Sequence, residues 1–171
     1  MNPLQKTDLP QTADLGPLLD RIHKDRMLLT AGTPDHLGTM TVSWGNFGIL
    51  WHKPMATIFV RPERHTYQFL EAKDYFSLAF FDPTYKDALT FCGKHSGRDV
   101  DKVKACNFTV AEGAEGGVYF KEATLVLICQ KRYRTPLDLT QMQGFDPTPF
   151  YGPHGNLHTM YMGEIVEVYT R

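Results

Sequence analysis

The chain has 171 residues, with 18 lysines and arginines against 19 aspartates and glutamates, a formal net charge of −1 at pH 7. So even a balance supplies no global field to concentrate nucleic acid or to hold the protein on an anionic bilayer, so recognition of any anion has to be local. Three cysteines, Cys92, Cys106 and Cys129, form an odd set without C-x-x-C spacing, which speaks against a disulfide framework or a structural zinc site and for a reducing cytosol.

The length predicts one domain over residues 1–171, with 1–24 as an N-terminal arm. Met1 to Asp14 is polar and has no apolar core of signal-peptide type, and the longest apolar runs, near Tyr75 to Phe81 and Leu125 to Cys129, are too short to span lipid. A cytoplasmic protein without membrane or nucleic-acid partners is therefore expected. Leu15 to Lys24 places Leu18, Leu19 and Ile22 at amphipathic spacing, as a short segment lying over the fold. Arg26 to Ala31 is a strand, and Gly32 to Gly38 is dense in turn formers and leads by a hairpin into the next stretch.

That stretch, Thr39 to Pro54, organises the chain. From Thr39 to Ser43 hydroxylated and apolar residues alternate, a strand pattern that puts Thr39, Thr41 and Ser43 on one face and Met40, Val42 and Trp44 on the other. Gly45 and Gly48 remove side chains where the backbone turns or a flat group approaches, with Trp44, Phe47 and Trp51 as broad apolar surfaces nearby. These parts suit a planar, hydrogen-bonding ligand, and equally a strand and bend packed into a core.

Pro54 breaks the chain and Ala56 to Val60 is a buried strand. Thr66 is placed to cap a helix through Tyr67, Phe69, Leu70 and Ala72, with Arg61 and Arg64 just before it. Unpaired amides, the positive end of the helix dipole and guanidinium groups make an anion site, phosphate being the natural guest, though two solvated arginines on a loop would read the same way. Tyr75 to Phe81 is a strand covered on both faces. A helix from Asp82-Pro83 through Ala88 and Leu89 follows, then a polar loop from Cys92 to Asp99 able to close over an anion, and a short helix from Val100 to Ala105. Phe108 to Gly117 connects, and Val118 to Arg132 forms one or two strands with Leu125, Leu127 and Cys129 on one face. Pro136 to Pro153 is a long irregular segment of the kind that folds over a site or a partner, and Leu157 to Tyr169 is a closing strand. Six or more short strands without regularly alternating helices predict a mainly β fold, a closed antiparallel barrel with peripheral helices.

Other chemistries are excluded or set aside. Neither G-x-G-x-x-G nor G-x-x-x-x-G-K-[ST] occurs, so no dinucleotide fold or P-loop is available and a nicotinamide would bind transiently. His154 and His158 are four apart, but the surrounding glycines and proline oppose a helix, so no metal site is assigned. Ser43 lacks the frame of a nucleophile elbow. Cys92, beside Lys94 and His95, is read as packing and left out of the chemistry.

Four motifs then coincide in order: Thr39-Met40-Thr41-Val42-Ser43-Trp44-Gly45; Pro54 before the strand into Arg61; Arg64-His65-Thr66 before a helix; and the final His158-Thr159-Met160-Tyr161-Met162-Gly163-Glu164-Ile165. Over Met27 to Val168 the chain resembles the flavin reductase-like family of FMN-binding split-barrel proteins, most of all the flavoredoxin type. The resemblance implies a Greek-key split β-barrel, a homodimer, and one FMN per subunit near the interface. It implies that Thr39, Met40, Thr41, Val42, Ser43 and Trp44 line the isoalloxazine ring and that Arg61, Arg64, Thr66 and Tyr67 surround the phosphate. Lys94 would reach the flavin or its phosphate, and His158 would approach the ring, these two being candidates for tuning the flavin. The family often carries an acidic residue before this histidine, where this chain has Asn156-Leu157. The implied activity is an NAD(P)H-dependent flavin reductase or flavoredoxin-like oxidoreductase in which FMN takes hydride from NADH or NADPH at N5 and passes electrons to free flavin or a redox partner protein. Because the cofactor carries the chemistry, no acid–base dyad is required. An electron carrier with bound FMN and no efficient nicotinamide oxidase activity, and a flavin-free barrel holding another apolar ligand, haem or nothing, are the alternatives.

Overall fold

Alternating burial explains most of the molecule. The computed structural model describes residues 5–7, 21–152 and 156–171. The predicted amphipathic run from Leu15 and the residue His154 lie largely or wholly outside them; of that run, Ile22, within a single π turn at Arg21–Asp25, is buried in the main core.

The described residues form ten strands: β1 (Gln5–Thr7), β2 (Met27–Thr33), β3 (His36–Val42), β4 (Gly45–Leu50), β5 (Lys53–Val60), β6 (Tyr75–Phe80), β7 (Val110–Glu112), β8 (Val118–Phe120), β9 (Leu125–Pro136) and β10 (Thr159–Thr170). The main antiparallel sheet runs β3-β2-β6-β9-β10-β5-β4, with β1 added to the C-terminal half of β10 and β5 paired to its N-terminal half. β7 and β8 form a separate two-stranded ribbon. Along β2, β6 and β9, one set of alternate residues (Leu29, Leu78, Phe80, Leu127, Cys129) enters the larger core, and the other (Leu28, Ala79, Val126, Ile128) enters a second core capped by Leu89, Phe108 and Phe120. Strands covered on both faces read as continuous apolar runs, as these do.

The split β-barrel implied by the family resemblance is present, in place of the closed barrel read from the strand count. β3 and β4 are the two ends of the sheet and do not pair with each other, although only Ser43 and Trp44 separate them. The barrel is split there, and one edge of β3 lies without a strand partner among the described residues.

Other boundaries also shift. Gly32 to Gly38 is not a loop: both strands run into it and only Pro34 and Asp35 turn. Pro54 does not break the chain but pairs with Ile49 inside β5; the ladder to β10 begins at Met55, so no N–H is needed at Pro54 on that side. Trp51 and His52, with φ of 54° and 58°, make the tight β4–β5 turn, a positive-φ pair that matches strand twist. Part of the supposed connection from Phe108 to Gly117 is strand β7.

Among the described residues four α-helices decorate the sheet: α1 (His65–Ala72), α2 (Lys86–Lys94), α3 (Lys102–Ala105) and α4 (Thr148–Tyr151). α1 and α2 both pack on β3. Gly38 permits the first contact, since a Cβ there would lie 2.5 Å from the Phe69 ring. No helix among the described residues is long and apolar enough to cross a membrane.

Candidate functional site

The free end of the sheet borders a groove of about 350 Å³ lined by Met40, Thr41, Val42, Ser43, Trp44, Phe59, Arg61, Glu63, Arg64 and His158. Five consecutive residues of one chain segment can line a groove when it runs along their backbone, not only one side-chain face. Of the three alternating hydroxyl residues, Thr41 and Ser43 line the groove and Thr39 does not. Thr39 is buried, its Oγ1 paired with Thr30 Oγ1 at 3.0 Å and near Leu29 O at 3.2 Å, and Thr41 Oγ1 donates to Leu89 O of α2 at 2.5 Å. These hydroxyls fix β3 against β2 and α2, leaving its outer backbone edge toward the groove.

A second cavity, about 170 Å³, adjoins the first through Met40, Glu63 and Arg64. Arg64, His65, Lys94, His95, Arg98 and Lys102 line it against the single carboxylate of Glu63. Carbonyls, not carboxylates, hold these cations. Arg64 Nη2 donates to Gly93 O (2.9 Å), Arg98 Nη1 to Glu63 O (3.1 Å), and Lys102 Nζ to Thr39 O (2.8 Å) and Cys92 O (2.7 Å). None of the four ion pairs found among the described residues includes Arg64, Lys94, Arg98 or Lys102. Carbonyl partners leave the positive charge whole.

Lys102 carries this furthest. It is 6% exposed, and burial is the first cause that lowers its ammonium pKa, with the charge of Arg64 acting in the same direction. A buried cation with neutral partners calls for an anion. α1 opens on the same cavity, and no side chain caps it: Arg64 occupies the N-cap, and Thr66, predicted as the cap, is the second helical residue and is buried. The uncapped amides and the dipole add to the field. Lys94 proves to be the last residue of α2, not part of the loop, and lines this cavity but not the groove.

His158 closes the groove beside Trp44, with ring centroids 4.9 Å apart. Burial first, then the Arg61 charge, holds its pKa down at about 4, so the ring is neutral at pH 7. In place of a preceding acid, Tyr151 supplies its partner: Tyr151 Oη lies 2.8 Å from His158 Nδ1. Arg61 Nη2 donates to Phe150 O at 2.7 Å and its guanidinium lies 5.3 Å from the centre of the Tyr151 ring. Together these contacts hold α4 against Arg61 and His158, two residues of the groove.

Of the twelve sequence-predicted binding residues, Met40, Thr41, Val42, Ser43, Trp44, Arg61, Arg64 and His158 meet at the groove, and Thr66 and Lys94 join them through the basic cavity. Thr39 contributes its carbonyl to Lys102 but no side chain to either space, and Tyr67 points elsewhere, its hydroxyl accepting from Thr159 and Arg134 at 3.5 and 3.4 Å. Arg98 belongs to the polar loop expected to close over an anion, whereas Lys102 and Tyr151 were not anticipated. Asp101-Lys102-Val103-Lys104 reads as a solvated helix, and Tyr151 was hidden in an aperiodic segment. Burial holds the Cys92 thiol up at about 12, so it is not a thiolate.

A family profile described as "Flavin reductase like domain" matches residues 19–171. The chain belongs to the flavin reductase-like family. No curated protein matches it. Among solved structures, this flavin reductase-like chain is similar to a flavoredoxin from Methanosarcina acetivorans (TM-score 0.68, 20% identity, covering 96% of this chain and 76% of that one). It is also similar to an FMN-binding protein from Thermus thermophilus with bound p-hydroxybenzaldehyde (0.66, 19%, 85% and 71%). A third is a split-barrel flavin reductase-type protein from Shewanella frigidimarina (0.67, 14%, 94% and 76%). At these identities the likeness establishes the split-barrel fold.

Proposed function

We propose that the protein binds FMN, with the isoalloxazine ring along the β3 edge and the phosphate in the basic cavity, and acts as an NAD(P)H-dependent flavin reductase or flavoredoxin-like electron-transfer protein. The observation that carries this reading is the pairing of a ring-sized groove with an adjoining cavity in which six basic side chains face one carboxylate. Its chemistry fits a monoanionic-to-dianionic phosphate attached to a flat heterocycle. Flavoredoxin and FMN-binding names among the structural neighbours support the same reading.

Bound FMN would supply a two-electron centre between a reduced nicotinamide and an acceptor. This chain's residues do the rest. The outer edge of β3 offers backbone donors and acceptors to the ring. Trp44 and His158 form its side wall, and because His158 Nδ1 is engaged by Tyr151, Nε2 is the nitrogen left for a ligand atom. Arg64, Arg98 and Lys102 balance the phosphate charge. Free flavin or a redox protein would accept the electrons. A homodimer in the cytoplasm completes the proposal, with the β4 end of the sheet, where Ile49 and Trp51 are 74% and 59% exposed, as the contact surface.

The test is the absorption spectrum of the purified protein during FMN titration, followed by anaerobic NADH and then NADPH. The proposal expects stoichiometric FMN uptake and bleaching of the flavin by one of the two nucleotides. Uptake without bleaching selects the carrier; no uptake leaves a flavin-free barrel.

A further inference from the structure

Two of the three cysteines lie against each other. Cys92 is buried in the last turn of α2 and Cys106 is half-buried at the C-terminal end of α3; their sulfurs are 3.9 Å apart, and the Cys106 sulfur lies 3.9 Å from Ala88 O. Both pack in the second core, whereas Cys129 is buried in the larger one. A disulfide needs about 2.05 Å between sulfurs, so sulfurs already in contact need a shift of about 2 Å and no refolding.

The pair brackets the cations of the basic cavity. Lys94, Arg98 and Lys102 all lie on the chain between the two cysteines and line that cavity. The Lys102 ammonium is aimed by Cys92 O at 2.7 Å and Thr39 O at 2.8 Å, and α3, which carries Lys102, ends against Cys106. Drawing Cys106 onto Cys92 therefore displaces Lys102 against the carbonyls that orient it, and hydrogen bonds lose strength quickly once their distance and angle are disturbed.

We infer that Cys92 and Cys106 form a reversible disulfide that turns down anion binding in the basic cavity, the dithiol form holding a phosphate group and the disulfide form holding it weakly. The oxidant is a low-molecular-weight disulfide. Cys106, the more exposed, attacks it and expels one thiol; Cys92 then attacks Cys106 Sγ of the mixed disulfide and expels the second. Two protein thiols and one small disulfide become one protein disulfide and two small thiols, which take up the protons. Burial raises both thiols, Cys92 to about 12, while the charge of Lys102 lowers them, so the exchange is slow at pH 7 and speeds as pH rises. A phosphate that neutralises Lys102 slows it further, and by linkage the disulfide disfavours phosphate. That the phosphate is FMN's rests on the reading above.

The experiment treats the full-length protein with glutathione disulfide at alkaline pH, in wild type and in Cys106→Ala, and reads tryptic peptides by mass spectrometry and FMN affinity by titration. Expected are a Cys92–Cys106 crosslink, FMN binding weakened about tenfold or more and restored by dithiothreitol, and a Cys106→Ala protein that binds FMN as reduced wild type does and ignores the oxidant. Glutathione retained on Cys106 without the crosslink, or a crosslinked protein that binds FMN as the reduced one does, overturns the inference and leaves the FMN reading intact. If the reduced protein takes up no FMN, the FMN reading fails and the crosslinking rate decides: inorganic phosphate should slow it severalfold, and a rate indifferent to phosphate overturns the inference.

Discussion

His158 and Lys102 are both buried bases, and their environments set opposite tasks. The imidazole is kept neutral by burial and by Arg61, so between pH 6.5 and about 4 the unfolded chain takes up a proton that the folded chain refuses. Stability then rises with pH across that window and is lost as pH falls through it, by at most ~3 kcal/mol for the full shift. Urea unfolding at pH 7 and near pH 4 measures this slope, and His158→Gln should remove its share. Tyr151→Phe deletes the Nδ1 partner; it should cost about 1 kcal/mol of stability and raise the imidazole pKa little, read by histidine NMR titration. Lys102→Met removes the buried charge with nearly the same shape. It should weaken FMN about 10- to 100-fold and leave riboflavin, which has no phosphate, unchanged. Lys94, which lines the basic cavity and not the groove, should behave likewise but more weakly, and Lys94→Met should leave the flavin midpoint potential unaltered.

Strand alternation made the elements legible, and tertiary contacts decided what the sequence pattern left open. Leu125, Leu127 and Cys129 share a core face as their period of two requires, and the stretch from Leu157 to Tyr169, read as a closing strand, holds most of β10, which lies inside the sheet between β9 and β5. The hydroxyl row of β3 was equally visible, but nothing in Thr39 or Thr41 says that Leu29 O and Leu89 O, ten and 48 residues away, will take their protons. Lys102 was illegible for the same reason, because its burial is created by β3 and the end of α2. The glycine at 163 separates local from tertiary demands cleanly. A Cβ on β10 there would lie 2.6 Å from Phe76 Cζ and 2.8 Å from Cys129 Cβ, whereas one at Gly48 on the edge strand meets nothing within 4 Å. Gly163→Ala should destabilise by about 1–3 kcal/mol through overpacking, and Gly48→Ala should be neutral or slightly stabilising, both measurable by thermal unfolding.

At the scale of the molecule, the split in the barrel is what shapes the groove. Pairing β3 with β4 would hide the backbone edge that borders the groove; leaving them apart opens the groove that Phe59, Arg61, Arg64 and His158 also line. The same opening leaves β4 as a sheet end bearing Ile49 and Trp51, so a sedimentation experiment should find a dimer, and Ile49→Glu with Trp51→Glu should dissociate it. The central claim is that one ligand occupies the groove and the basic cavity together. A crystal structure of the protein with FMN tests it most directly: the ring should lie along Met40 to Trp44 with the phosphate among Arg64, Thr66 and Lys102, and a flavin bound at any other place, or with its phosphate in open solvent, would contradict it.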